Sequence, residues 1–215
     1  MAKRKEAETS WPLENAVLLI TDVQNDFIKQ YPKHKEIVPK ARDLAKKCRA
    51  AGIPVIHTLF LHSENKATWP RIDAMLDRKI CMEGTKGADE AKQLIDEDDY
   101  YIRKHMFSAF HETALEELLE DLDAKTIILC GLLTHCCVYA TAMDAYQKGF
   151  NLIFVKDCIS SYRKKLHNEL VNGFFRNSLG EVIDSKKLIE RIEKECGKHE
   201  EVFEEDELEA VQWDQ

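Results

Sequence analysis

The chain has no apolar run approaching the roughly 20 residues that a membrane-spanning helix needs, so no helical membrane span is expected. The opening stretch MAKRKEAETSWPLE holds basic residues but no apolar segment, and it does not read as a secretory signal. Positive charge is also short. Lys and Arg number 31 against 39 Asp and Glu, a net charge of −8, which argues against general binding to nucleic acid or to an anionic membrane. The seven cysteines (Cys48, Cys81, Cys130, Cys136, Cys137, Cys158 and Cys196) include no CxxC and no paired ligand spacing, so a zinc site is not expected. Their odd number and scattered positions read as reduced thiols in a cytoplasmic protein, and the adjacent Cys136 and Cys137 cannot bridge each other without strain. Neither an internal repeat nor a second domain is visible.

What remains is a chain of 215 residues, 44% hydrophobic and 33% charged, long enough to bury a substantial core in one soluble domain. Residues 1–14 read as a polar lead-in and 15–196 as the domain. Residues 197–215 are an acidic tail, solvated or a frayed helix, with a partner-binding segment as the alternative.

Short β-branched runs alternate with helical patterns. Ala16 to Thr21 reads as a first buried strand, Ile53 to Phe60 as a second and Tyr100 to Arg103 as a third. Thr126 to Cys130, Asn151 to Val155 and Glu181 to Ile183 follow as further strands. Residues 28–38 look loop-like, and a helix then runs through Leu44 and Cys48 to Gly52, with Pro39 tolerable in its first turn. Residues 61–98 form a long connection, of the kind that is often functional. Thr113 to Glu116 has the spacing of a capping box, and Leu115, Leu118, Leu119 and Leu122 share one face of the helix behind it. Helices are also expected near Lys165 to Phe175 and from Ser185 to about Glu195. Such alternation predicts a doubly wound α/β sandwich with a mainly parallel sheet.

The stretch Gly131 to Phe150, GLLTHCCVYATAMDAYQKGF, carries the chemistry. It follows a buried strand. Val138, Ala142 and Ala145 then recur at helical spacing, and Gly149 is a C′ stop. A cysteine in the first turn of that helix sits near the positive end of the macrodipole, which favours thiolate. Free N–H groups there can hold a developing oxyanion. A plain core cysteine is the competing reading. Asp22, Lys104 and the Cys136–Cys137 pair all fall just past strand ends, on the carboxyl edge where open α/β sheets bind ligands. An Asp22–Lys104 pair alone would be an ordinary salt bridge; the convergence of three complementary groups is what points to a site.

The stretches LLITDVQNDF, IPVIHT, MEGTKGADEAKQLI, YYIRKHMFSAFHETALEELL, IILCGLLTHCCVYATAMDAYQKGF and LIFVKDCISSYRKKLHNEL span roughly residues 15–192. In order and spacing they resemble the isochorismatase-like cysteine hydrolases, among them nicotinamidases and N-carbamoylsarcosine amidohydrolases. The resemblance implies an Asp–Lys–Cys triad at Asp22, Lys104 and Cys137. Gly131 and Thr134 set the register of the Gly-x-x-Thr-x-x-Cys-Val pattern, and Cys136 falls on a variable position. It also implies a cis peptide between Leu132 and Leu133 and an oxyanion hole formed by the N–H groups of Leu133 and Cys137. The activity implied is hydrolysis of a C–N bond in a small carboxamide or carbamoyl substrate, without a cofactor, by a homo-oligomer.

Nicotinamidases add a metal site built on Asp-x-His. Here Phe60 stands in place of the Asp and only His62 remains, so no catalytic metal is expected and nicotinamide is disfavoured as substrate. Phe27, His62, Trp69 and Phe107 are the candidate substrate contacts, each with pocket wall or plain core as the alternative. Gln24 and Asp26 are expected to buttress the first loop, His57 to be a core or supporting residue, and His167 to be scaffold. Two other functions stay open. One is isochorismatase-type vinyl-ether cleavage, echoed by His135; the other is an idle family member acting as a binding protein.

Overall fold

The computed structural model describes residues 10–196. The expected residues 1–9 of the lead-in and the acidic tail lie outside the described residues. Strands β1 (Ala16–Thr21), β2 (Val55–Phe60), β3 (Tyr100–Lys104), β4 (Thr126–Leu132), β5 (Asn151–Ser160) and β6 (Glu181–Ile183) form one sheet in the order β3-β2-β1-β4-β5-β6. Every pairing is parallel. The order turns back between β1 and β4, so the crevice between their carboxyl ends is the switch point of the sheet.

Alternation along β1 shows why the sheet is buried twice over. Ala16, Leu18 and Ile20 enter one core, with Ala41, Leu44 and Cys48 of helix α2 (Ile37–Ala50) and with Leu188 and Ile192 of α7 (Ser185–Cys196). Val17 and Leu19 enter the other, with Leu115 and Leu119 of α4 (Leu115–Asp121), Ala142 and Ala145 of α5 (Tyr139–Gln147), and Phe175. This is the three-layer α/β/α arrangement that the alternation predicts. Each fully buried aliphatic side chain contributes about 1.5–3 kcal/mol.

Several local expectations are corrected. Residues 28–38 are not a loop: α1 (Asn25–Gln30) and a 3₁₀ turn (Pro32–Glu36) occupy most of that stretch. The capping box does not form. Ala114 takes the N-cap position with no side-chain bond, and Glu116 instead pairs with Lys148. The helix after β4 does not begin as an α-helix: Thr134–Val138 is a π-helical turn, and a second π segment, Leu170–Leu179, follows α6 (Lys164–Glu169). Strand β5 runs on to Ser160, past an irregular register opposite Leu129 and Gly131. The long connection holds α3 (Arg71–Met75) and two isolated bridges, Gln24 with Glu90 and His62 with Met82.

Candidate active site

The parallel register brings the three expected residues to one end of the sheet. Thr21 of β1 pairs with Thr58 of β2 on one side and Gly131 of β4 on the other. Asp22 follows at once, at φ 50, a left-handed conformation that Asp tolerates because its short side chain bonds locally. Gly131 has φ 113, and a Cβ there would sit 2.1 Å from Thr21 O. Only glycine lets β4 approach β1 this closely at the site. Lys104 ends β3, opposite Phe60.

Asp22 and Lys104 are fully buried, with Lys104 Nζ 2.7 Å from Asp22 Oδ2. A buried charge demands a partner, and each residue supplies the other's. The ammonium also donates to Met106 O (2.9 Å) and Phe107 O (3.2 Å) and lies 5.1 Å from the Phe60 ring centre. Thr58 Oγ1 donates to Asp22 Oδ1 at 2.6 Å. Asp22 Oδ2 has no hydrogen bond of ordinary geometry; its contact with Nζ is an ion pair. Cys137 is buried, 5% exposed, and its thiol senses the charges of both Asp22 and Lys104.

Burial raises the Cys137 thiol well above its ordinary range; Lys104 lowers it and the Asp22 carboxylate raises it further. The resting group is therefore a thiol, not the thiolate that the helix start and Lys104 alone would favour. Lys104 stays firmly charged: burial opposes its ammonium, but Asp22 and Cys137 more than offset that.

The Leu132–Leu133 peptide is cis, as the resemblance implies. The N–H groups of Cys136 and Val138 both turn to Leu133 O (2.9 and 3.3 Å). Thr134 Oγ1 is bonded to His167 Nδ1 at 2.8 Å, which gives His167 the scaffold role expected of it. His135 pairs with Ser161 instead.

An isochorismatase-domain model matches residues 16–187, most of the chain. The chain belongs to the isochorismatase family. Nicotinamidase 3 of Arabidopsis thaliana is 28% identical over 155 residues, covering 71% of this chain and 76% of that protein. A cysteine hydrolase from Pseudomonas syringae pv. phaseolicola superposes with a TM-score of 0.82 at 20% identity, covering 90% of this chain and all of the other. The N-carbamoylsarcosine amidase of Thermoplasma acidophilum gives 0.70 at 24% identity, covering 80% and 96%. At those identities the two structures speak for the fold.

Against the metal site of the family's nicotinamidases, the residues do not fit. Phe60 fills the position of the missing carboxylate, with its ring edge-on to His62 at 4.8 Å. His62 stacks on Trp69 at 4.5 Å and approaches Asp73 Oδ2 only to 3.7 Å. No group of three or more His, Cys, Asp and Glu able to hold a metal occurs among the described residues. Of the candidate substrate contacts, Phe27, His62 and Trp69 form one aromatic row with Phe60, which reaches Lys104; Phe27 lies 6.1 Å from Phe60. Phe107 is 49% exposed and meets Lys104 through its carbonyl.

Sequence reasoning missed Thr58 and the role of Phe60. Both stand in β2, where position at a carboxyl strand end was the available signal. It also left His57 unassigned beyond a supporting place. His57 is fully buried between Glu90 and Asp99.

Proposed function

We propose that this isochorismatase-family protein is a cysteine-dependent hydrolase of a small carboxamide or carbamoyl compound. The observation that supports this best is the buried Cys137 beside the fully buried Asp22–Lys104 ion pair, both members of which act on its thiol. In the proposed reaction Cys137 Sγ attacks the carbonyl carbon as its proton passes to Asp22. The N–H groups of Leu133 and Cys137 hold the tetrahedral oxyanion. Collapse breaks the C–N bond, and the departing ammonia or amine takes the proton from Asp22. Water then adds to the thioester, giving its proton to Asp22, and release of the acid returns that proton to sulfur. Lys104 keeps the carboxylate in place and neutral overall with its surroundings throughout. The aromatic row from Phe27 to Trp69 supplies a flat wall, suited to a small planar substrate.

The test is ammonia release from a panel of carboxamides and carbamoyl compounds. Cys137→Ala abolishes release and Cys136→Ala does not. Equal loss from both variants would overturn the assignment of the nucleophile, and no release from any compound by the parent protein would overturn the reaction class.

A further inference from the structure

A buried charged cluster stands behind the Asp22 turn without touching the triad's thiol. His57 points away from the site, while its neighbour Thr58 holds the Asp22 carboxylate. The His57 ring is fully buried and stacked on Tyr101 of β3 at 4.9 Å. Its Nδ1 lies 2.7 Å from Glu90 Oε1 and its Nε2 2.7 Å from Asp99 Oδ2. Neutral imidazole has one N–H; only the imidazolium donates to two carboxylates at once. Arg49 of α2 grips both oxygens of Asp99 from outside and lies near Asp96, so two cations face the paired anions Glu90 and Asp99. Asp22 is the other charge that Glu90 senses.

Glu90 belongs to a strap, residues 87–91, that runs against the turn after Asp22. Asp26 N donates to Gly87 O, Asn25 N to Asp89 O and Ala91 N to Val23 O, each at 2.9 Å. Gln24 Nε2 donates to Ala88 O (2.7 Å) and Phe60 O (2.9 Å), and its Oε1 accepts from Phe60 N. Gly87 lies so close to Asp26 that a Cβ would fall 2.3 Å from its carboxylate. The strap and the turn are one ribbon outside the main sheet. Its charged attachments to the sheet are His57–Glu90 at one point and, farther along the connection, His57–Asp99–Arg49.

We propose that His57 and Glu90 are positioning residues for Asp22: their pairing fastens the strap to β2, and the strap fixes the turn that aims the carboxylate at Cys137. The inference rests on the reading of Asp22 as the group that takes the thiol proton. Loss of either partner leaves the triad intact in composition and lets the turn drift, and a misplacement of 1 Å costs roughly 100-fold in rate.

The test uses thiol chemistry and needs no substrate. Iodoacetamide alkylates Cys137 with formation of an S–C bond, loss of iodide and transfer of the thiol proton to Asp22. The rate is read against pH by mass spectrometry in a Cys136→Ser background, with fragmentation separating Cys137 from Cys130. His57→Gln and Glu90→Gln are expected to slow alkylation about tenfold or more and to displace its acid limb. The isosteric Glu90→Gln carries the test should His57→Gln not fold. Arg191→Ala, which cuts an ion pair with Glu181, lowers stability and leaves the alkylation rate and its pH profile alone. Folded His57→Gln or Glu90→Gln reacting as fast as the parent, while Asp22→Asn is slow, overturns the positioning role alone. Asp22→Asn reacting at the parent rate, or a parent Cys137 that does not react at all, overturns the proposed mechanism and this inference with it.

Discussion

Replacing Lys104 by Met should destabilise the protein far more than replacing Asp22 by Asn, although both cut the same ion pair. Both side chains are fully buried, so neither charge can recover its hydration without opening the fold. In Lys104→Met the carboxylate is left with one donor, Thr58 Oγ1 at 2.6 Å, and Oδ2 has nothing. Stranding a buried charge in this way costs roughly 3–5 kcal/mol. In Asp22→Asn the ammonium keeps Met106 O, Phe107 O and the face of Phe60. Its loss should be roughly half as large, since hydrogen bonds to a charged group contribute about 1.5–3 kcal/mol each. The double variant buries no charge at the site and should lie within about 1 kcal/mol of Asp22→Asn. Urea unfolding of the four proteins gives these differences, provided the slope with denaturant is unchanged. In thermal melts Lys104→Met should lose roughly 6–20 °C, at about 2–4 °C per kcal/mol for a chain of this size. Equal losses from the two single variants, or a Lys104→Met loss under about 1 kcal/mol as for an exposed pair, would refute the reasoning.

Further tests follow from particular contacts. Thr58→Val removes the hydroxyl that Asp22 Oδ1 accepts, and should cost about 1.5–3 kcal/mol in urea midpoint analysis while reducing kcat more than KM; unchanged kcat would remove Thr58 from the site. Gly131→Ala forces a Cβ against Thr21 O and should cost more than about 3 kcal/mol or prevent soluble expression; a melting temperature within a few degrees of the parent would contradict the close approach of β4 to β1. Glu90 and Asp99 outweigh burial and raise the pKa of His57 above its ordinary 6.5. The stability it contributes is therefore complete below about pH 6.5 and is lost as pH rises through the folded-state value. Urea midpoints should fall on that alkaline side, and the fall should be absent in His57→Gln. His34 has the opposite sign. Burial lowers it to about 4, so its contribution is present above about pH 6.5 and is lost as pH falls towards 4; His34→Asn should flatten the acid side of the same curve.

Legibility from sequence followed how local each cause was. Strand β1 begins and ends where its apolar run does, because a doubly buried strand is written into consecutive residues. The family pattern, read residue by residue, brought Asp22, Lys104 and Cys137 together, and the sheet register places them at one end. Failures came where a distant partner decides. Thr113-x-x-Glu116 has capping spacing, but Lys148, just past the end of α5, claims Glu116. The π turn at Thr134–Val138 has no sequence period of its own; it follows from seating Cys137 after Leu133 while Cys136 and Val138 share one carbonyl. A supporting place for His57 was legible, but its partners Glu90 and Asp99 were not, since they lie 33 and 42 residues away. The raised thiol of Cys137 was out of reach for a related reason: a helix start and a lysine can be seen in sequence, and the depth of burial cannot.

The raised thiol makes the proposed chemistry easier to understand. At rest the site holds one anion, one cation and a neutral thiol, so its net charge is zero. Moving the thiol proton to Asp22 gives a neutral acid, a thiolate and the same ammonium, again with net charge zero. No new charge is created in a space where an isolated charge would cost several kcal/mol. Lys104 changes partner, from carboxylate to sulfur, without leaving its cage of Met106 O, Phe107 O and the Phe60 ring. A thiolate formed in advance beside the Asp22 carboxylate would give two anions to one buried cation. The raised Cys137 thiol and the firmly charged Lys104 are thus two consequences of one balance, and in the proposed mechanism the nucleophile forms only as the carboxylate is neutralised.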